Sequence, residues 1–360
     1  ARHLPGRMTV SHLHWGGGTP TALTPDALAR AMEMLHAEFD FAPGAELAIE
    51  SDPRHLSDEA IRRIGHLGFT RASFGVQEFD PKVQAAINRV QPPNMVARAV
   101  DGLRGAGVSG INFDLIYGLP HQTVESLVET IRLAAGMRPD RIALFGYAHV
   151  PWMAKKQRLI DESALPGATE RLTQARASTN ALIAAGYQPI GLDHFALPGD
   201  PMAEAARAGT LRRNFQGYTT DRAETLLGLG ATSISRTPDG FVQNISETGA
   251  WSRAVEAGEL PSGKGIALTR EDRMRGQVIE QLMCFGQVDL ERIARLFDAP
   301  PEWIEGKAAA SLETLEADGL ITRHDGHLSV TEEGAPLVRV IAQVFDSYAS
   351  DGGTRHAAAV

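Results

Sequence analysis

The chain has 360 residues, 43% of them apolar and 22% charged, with a formal net charge of −9 and a single cysteine. That length accommodates one large α/β domain plus a smaller one; no apolar run of about eighteen residues exists to span a membrane, and the acidic balance argues against nonspecific nucleic-acid binding, which depends on excess Lys and Arg. Cys284 alone closes no intrachain disulfide, so a reducing cytoplasm is the natural setting, and one thiolate does not hold an iron–sulfur cluster.

The N-terminal Ala1-Arg2-His3-Leu4-Pro5 carries no apolar signal core and no initiator Met, which leads to the expectation that the chain starts partway through a longer protein. Strand-like runs follow at 9–15, 46–50, 71–76, 110–117, 141–147 and 188–193. They alternate with helical patterns at 25–39, 57–67, 95–106, 124–136 and 169–185. Ser57 before Asp58-Glu59 reads as an N-cap with acids in the first turn. Gly68, Gly107 and Gly186 stand where helices should stop. Such alternation predicts a parallel sheet with right-handed crossovers, and six strands favour a barrel or part-barrel.

Residues rich in chemistry fall at the expected strand C-termini, the end where β/α barrels build their sites. They are Gly16-Gly17-Gly18-Thr19-Pro20, Glu50-Ser51-Asp52-Pro53, Gln77-Glu78, Asp114 with Gly118-Leu119-Pro120, and His149. The triple glycine lets a backbone approach a ligand closely, or simply makes a tight βα turn. Glu50 and Asp114 have the chemistry to bind an amino group or a ribose hydroxyl pair. His12 and His14 share one strand face and are spaced as zinc ligands can be, although packing is the better reading. Residues 195–262 break the period around Arg212-Arg213-Asn214-Phe215-Gln216-Gly217-Tyr218-Thr219-Thr220, a loop whose arginine pair suits an anionic substrate or flanks a buried Phe215. From 263 onward, helices at 271–284, 289–297 and 301–317, strands at 320–323 and 328–331, and a final helix to about 348 resemble a winged helix. With 7 Lys/Arg against 15 Asp/Glu over 271–350, a structural or lid role fits better than DNA binding. Cys284, between Met283 and Phe285, reads as a small buried residue.

Taken in order, His14-Trp15-Gly16-Gly17-Gly18-Thr19-Pro20-Thr21, Glu50-Ser51-Asp52-Pro53, Gly75-Val76-Gln77, Asn88-Arg89, Asn112-Phe113-Asp114-Leu115-Ile116-Tyr117-Gly118-Leu119-Pro120, Tyr147-Ala148-His149-Val150-Pro151 and Asn214-Phe215-Gln216-Gly217-Tyr218-Thr219-Thr220 resemble the oxygen-independent coproporphyrinogen III oxidases. The resemblance implies an α/β fold: a partial (β/α)6-type radical S-adenosylmethionine barrel without its first strand (1–262), followed by a mainly helical, winged-helix-like domain (263–360). It implies oxidative decarboxylation of two propionates of coproporphyrinogen III to vinyls, with one or two S-adenosylmethionine molecules and a 4Fe–4S cluster. The protein's part in such chemistry is to position the cofactors and exclude water and oxygen. Position by position, Gly17 and Glu50 resemble contacts to a first S-adenosylmethionine, and Ala148 and Ile234 the apolar lining of its pocket. Gly18, Thr19, Gln77, Arg89 and Asp114 resemble a second such site. Phe215 and Gln216 match residues near the reacting centre, and Arg212 or Arg213 is inferred as a propionate partner.

The resemblance departs at one point: the family's three cluster cysteines have no counterpart here, so this chain alone is expected to be inactive. An external electron donor is implied, with no nucleic-acid or membrane partner and a monomeric state. Two other readings stand beside this one, a haem chaperone of the same superfamily and a metal-dependent hydrolase using His12 and His14. The stretch 214–220 favours the oxidase over the chaperone.

Overall fold

The computed structural model describes residues 4–300, 306 and 308–349. The described residues up to Glu204 form one compact unit, and those from Ala205 a second. In the first, strands and helices alternate as β1 (Thr9–Trp15), α1 (Pro25–Glu38), β2 (Asp40–Ser51), α2 (Asp58–His66), β3 (Arg71–Gln77), α3 (Pro81–Ala86), α4 (Pro93–Gly105), β4 (Gly110–Tyr117), α5 (Val124–Gly136), β5 (Arg141–Gly146) and α6 (Ala168–Ala184). The five strands pair in parallel and in chain order, as the alternation predicts. Local chemistry sets the helix starts. Thr24 Oγ1 accepts from Ala27 N, Ser57 Oγ accepts from Ala60 N, and Thr123 with Ser126 completes a reciprocal capping box.

β3 and β4 alternate along most of their length, and the two sides of the sheet differ in kind there. Leu47, Ile49, Ala72, Phe74, Val76, Ile111, Phe113 and Leu115 are buried in one core with Leu28, Met32, Ile64, Val100, Leu103, Leu127 and Ile131 of the helices. A parallel sheet covered on both faces would read as continuous apolar runs. Here the intervening residues, Glu46 and Glu50, Arg71, Ser73 and Gly75, Asn112 and Asp114, are polar or small, so the second face is built to hold something polar. At the start of these strands it holds a buried ionic quartet. Arg71 donates to Glu46, Asn112 and Asp200, and Arg141 donates to Asp200 at 2.8 Å.

A sixth parallel strand expected at 188–193 does not form. The chain makes a hairpin, β6 (Gln188–Ile190) and β7 (His194–Ala196), and β7 pairs antiparallel to β5 while β6 lies outside it. Pro189 has no amide to donate, which suits an edge position, and Gly191 takes a left-handed φ of 58° that reverses the chain. α7 (Pro201–Arg207) follows.

In the second unit, β8 (Arg212–Asn214) and β9 (Gly217–Thr219) form a hairpin. β10 (Ile234–Thr237), β11 (Gly240–Asn244), α8 (Thr248–Glu256) and β12 (Ser262–Ala267) contribute an antiparallel β10-β11-β12 sheet. The domain boundary expected at 262/263 therefore cuts through β12, whereas the units divide at Glu204/Ala205. These strands escape a periodicity reading because they are short, and β12 is exposed along its whole length. Then come α9 (Arg270–Phe285), β13 (Gln287–Asp289), α10 (Leu290–Leu296), α11 (Ala309–Ala317), β14 (Ile321–His324), β15 (His327–Val330) and α12 (Val338–Gln343). The expected two-stranded wing is present and gains a third strand, in the order β13-β15-β14. Residues 301–305 of the helix expected at 301–317 lie outside the described residues.

Candidate ligand site at the strand ends

Four strand ends of the first unit converge on a cleft of about 160 Å³ lined by Gly18, Thr19, Glu50, Ser51, Asp52, Ser73, Gly75, Arg89 and Asp114. Five of these, Gly18, Thr19, Glu50, Arg89 and Asp114, are positions singled out by the sequence. Gly17, next in chain to Gly18, has a φ of 82°, a conformation that leaves its peptide free to face a ligand. Gly16 is needed for another reason. A Cβ there would stand 2.5 Å from Glu50 Oε1 and 2.7 Å from His14 Nε2, which bond each other at 3.1 Å. Gly16→Ala should therefore displace the Glu50 carboxylate while sparing the fold, because the obstructing atoms are flexible side-chain ends. Calorimetric titration with S-adenosylhomocysteine should show affinity reduced by about tenfold, the cost of one charge-assisted hydrogen bond, with the thermal unfolding midpoint little changed.

The β3 exit carries the most unusual backbone of the site. The register slips between Gly75 and Gln77, a bulge opposite β4. Gln77 takes φ 66°, left-handed for a non-glycine residue, at a cost of about 1 kcal/mol or more. Side chains from the loop after α3 hold the bulge in place. Arg89 donates to Gly75 O at 2.7 and 3.1 Å, and Gln91 Nε2 donates to the carbonyls of Gly75 and Val76. Arg89 thus serves as a brace on the β3 carbonyls as well as a cation in the cleft, with its Nη2 3.7 Å from Asp52 Oδ2. Burial lowers the Arg89 pKa against the pull of Asp52 and Asp114. Burial would raise Asp52, but Arg54, bonded at 2.7 Å, outweighs it and holds that carboxyl at about 2. Asp114 behaves oppositely. Burial first and then the Glu50 charge push it up to about 6, against His194, Arg89 and His14. The unexpected β6–β7 hairpin explains why His194 is there: it pairs in register with Ala143, which pairs in register with Asp114.

Behind Gln77, Glu78 is wholly buried and accepts from Phe79 N at 2.7 Å, Asp80 N at 3.0 Å, Gln122 Nε2 at 2.6 Å and Thr130 Oγ1. Burial raises its pKa. Gln122 in turn accepts from Leu119 N, and Gln174 accepts from Gly118 N, which fixes the turn after β4. Glu78 is a structural anchor, not a ligand group. Ala148 is exposed in the loop after β5, where its carbonyl accepts from Gln157.

Phe215, Gln216, Arg212, Arg213 and Ile234 belong to the second unit. Phe215 is 54% exposed and meets Phe241 edge-on at 5.3 Å, so it is not the buried residue that one reading of the Arg pair required. Gln216 is exposed at the β8–β9 turn, its amide bonded to Asn214 Oδ1. Ile234 opens β10 and is partly buried. Arg212 is paired with Glu280 at 2.9 Å, so it is already engaged by a carboxylate of its own chain. Arg213 lies 5.4 Å from the Tyr218 ring centroid, and its buried Nε has no hydrogen-bond partner. Sequence reasoning missed Ser73, whose only signal was its i, i+2, i+4 relation to Gly75 and Gln77 on one strand face.

The cleft fits S-adenosylmethionine: it pairs anionic Glu50 and Asp114 with a flexible glycine turn, and Ser51 Oγ is buried there without a hydrogen-bond partner. The residues do not fit a 4Fe–4S cluster. The one thiol, Cys284, is buried in α9, and burial followed by the Glu280 charge raises it to about 12. Among the described residues no group of three or more His, Cys, Asp or Glu could hold a metal ion.

Comparison with known proteins agrees with this geometry. Residues 1–134 match the Radical SAM superfamily and residues 268–337 the HemN C-terminal domain. The chain is 48% identical to the oxygen-independent coproporphyrinogen III oxidase of Bradyrhizobium diazoefficiens, over 100% of this chain and 80% of that protein. It is 44% identical to the anaerobic coproporphyrinogen III oxidase 1 of Cereibacter sphaeroides, over 96% and 76%. The solved coproporphyrinogen III oxidase of Escherichia coli, described as a radical SAM enzyme, superposes with a TM-score of 0.90 at 39% identity, covering 94% of this chain and 78% of that one. With its parallel sheet, its polar strand-end cleft and these relatives, the chain belongs to the oxygen-independent coproporphyrinogen III oxidases, oxidoreductases of the radical SAM superfamily that use S-adenosylmethionine and a 4Fe–4S cluster.

Proposed function

We propose that this chain binds S-adenosylmethionine and coproporphyrinogen III, in the cytoplasm and as a monomer, for an oxidative decarboxylation of two propionates to vinyl groups that also requires a 4Fe–4S cluster, for which this chain alone lacks the ligands, and an external electron donor. The observation that carries the reading is the polar cleft at the ends of β1–β4, which Glu50 and Asp114 line together with Gly18 and Thr19. S-adenosylmethionine, given one electron from a 4Fe–4S cluster whose ligands this chain does not supply, would provide a carbon radical able to take a hydrogen atom from a propionate side chain. This chain's own residues do the rest. Glu50, oriented by His14, is placed to receive the ligand's ammonium group, and the Gly17 turn presents its peptides to the carboxylate. Asp114, Arg89 and Gln77 bind polar groups across the cleft, while the Arg89 and Gln91 bonds keep the β3 bulge from relaxing. By the family resemblance Ala148, Ile234, Phe215 and Gln216 are further candidates, and Arg213, whose side chain is in no ion pair among the described residues, is a better candidate for a propionate than Arg212, which is paired with Glu280.

No helix among the described residues is long and apolar enough to cross a membrane. The reading is tested by titrating this chain with S-adenosylhomocysteine and with coproporphyrin III, the air-stable form of the substrate. Saturable binding of both is expected, and absence of either overturns it. Anaerobic reconstitution with iron and sulfide should leave this single-cysteine chain without stoichiometric cluster absorbance.

A further inference from the structure

The cleft offers no apolar side chain, so a tetrapyrrole needs another surface. The segment following β5 supplies one. Leu159 is 88% exposed and Met153 75%, the two most exposed large apolar side chains among the described residues, and Trp152 stands beside them at 42%. Exposed large apolar side chains gathered within one short segment of chain point to a binding surface. Interleaved with them are Lys155, Lys156 and Arg158, all exposed. Among the described residues no carboxylate forms an ion pair with any of the three. The acids that follow are occupied: Asp161 accepts from Ser163 N and Oγ, and Glu162 bonds His149 Nε2 at 3.0 Å. Residues 150–160 therefore carry three cations and no acid in a chain whose net charge is −9.

The segment is tied to the same end of the sheet as the cleft. Tyr147 N bonds Tyr117 O at 2.8 Å, and Gln157 spans the loop from Val150 N to Ala148 O. Arg158 Nε bonds Pro151 O, which shapes the strip further.

We propose that this strip docks the tetrapyrrole, with Lys155, Lys156 and Arg158 taking propionate carboxylates while Met153 and Leu159 lie against the macrocycle. This rests on the coproporphyrinogen reading above. Charge complementarity selects the occupant: a polycarboxylate with an apolar ring matches cations alternating with exposed apolar side chains. An anionic membrane surface has related chemistry, but the only helix here, Lys155–Leu159, is a single 3-10 stretch of five residues, short for an interfacial anchor.

The test is fluorescence titration with coproporphyrin III of the unaltered chain, of Lys155→Gln/Lys156→Gln/Arg158→Gln, and of Met153→Ser/Leu159→Ser. Lys82→Gln on α3 serves as the charge control. The triple variant should bind about tenfold more weakly and lose most of the salt dependence, as expected for several exposed ion pairs. The apolar variant should weaken binding with the salt dependence retained, and K82Q should bind as the unaltered chain does. Far-UV circular dichroism verifies that each variant is folded. If the unaltered chain binds porphyrin and both strip variants bind equally well, this proposal falls and the substrate reading stands. If the unaltered chain binds no porphyrin, both fall. Loss of sedimentation with phosphatidylglycerol vesicles in the triple variant, with porphyrin affinity unchanged, would assign the strip to a membrane and overturn the proposal.

Discussion

Asp114→Asn is expected to make the chain more stable at pH 8 by on the order of 2 kcal/mol, and at the same time to weaken its hold on S-adenosylhomocysteine by about tenfold or more. The sign follows from the direction of the shift. Burial and Glu50 raise the Asp114 carboxyl from 3.8 to about 6, so the folded protein holds a proton that the unfolded chain has released between those values. The stabilisation from that extra proton is fully present below pH 3.8 and is lost as pH climbs through about 6. Above that, the native state carries a desolvated charge that asparagine removes. Urea unfolding at pH 4 and pH 8 should therefore show the variant matching the unaltered chain at the lower pH and exceeding it at the higher. Ligand affinity should move the other way. The unaltered chain should bind the ammonium-bearing ligand more tightly as pH rises through about 6, and the variant should show a flat profile. Equal affinity and an equal pH slope in the variant would remove Asp114 from the binding site. The expected outcome, weaker binding with higher stability, would make the carboxylate a cost in stability kept for its charge, in line with the rule that functional sites hold groups the fold alone would not choose.

Asp200→Ala should cost about 3–5 kcal/mol at neutral pH, the penalty for stripping one partner from a buried ion network. Its side chain is only 2% exposed and accepts from Arg141 Nε at 2.8 Å, Met202 N at 2.7 Å and Arg71 Nη2 at 3.3 Å. Removing it leaves Arg71 and Arg141 facing Glu46 alone, and Arg141 Nη2 is already buried without a hydrogen bond. Burial works against the Glu46 charge, but the two arginines outweigh it and hold its pKa below the ordinary value. Stability from Glu46 is thus present at neutral pH and lost as pH falls through its lowered pKa. The same rule that makes a single deletion costly makes a full replacement cheap. Glu46, Arg71, Arg141 and Asp200 changed together to apolar residues of similar volume should recover most of the loss. Chemical denaturation measures both. A loss under about 1 kcal/mol for Asp200→Ala would mean that water reaches the network and screens it.

Much of this architecture was legible in the linear chain. Ser57 before two acids and glycines at helix ends act within a few residues, so these helix limits could be read directly. The alternation of Leu47, Ile49 with Ala48, Glu50, and of Phe74, Val76 with Ser73, Gly75, follows from the two-residue period of a strand. Parallel crossovers then place every strand's C-terminal end on one side, so Glu50, which the resemblance gives to a first S-adenosylmethionine, and Gly18, Thr19, Arg89 and Asp114, which it gives to a second, line one cleft.

Pairings between distant residues were not legible. Asp200 reaches Arg71 across 129 positions and Arg141 across 59, and no local pattern marks those partners. The turn at Gly191 sends the chain back as β7 and so puts His194 near Asp114; a strand read straight through 188–193 cannot do so. Arg212 looked available until tertiary structure set Glu280 against it, while among the described residues Lys155, Lys156 and Arg158 form no ion pair with a carboxylate. Sequence alone settles what depends on the chain's own short periods, namely strands, caps and the face each side chain takes. Which charges neutralise one another, and which are left to meet a ligand, is set by the register of strands far apart in the chain, and only the folded structure decides it.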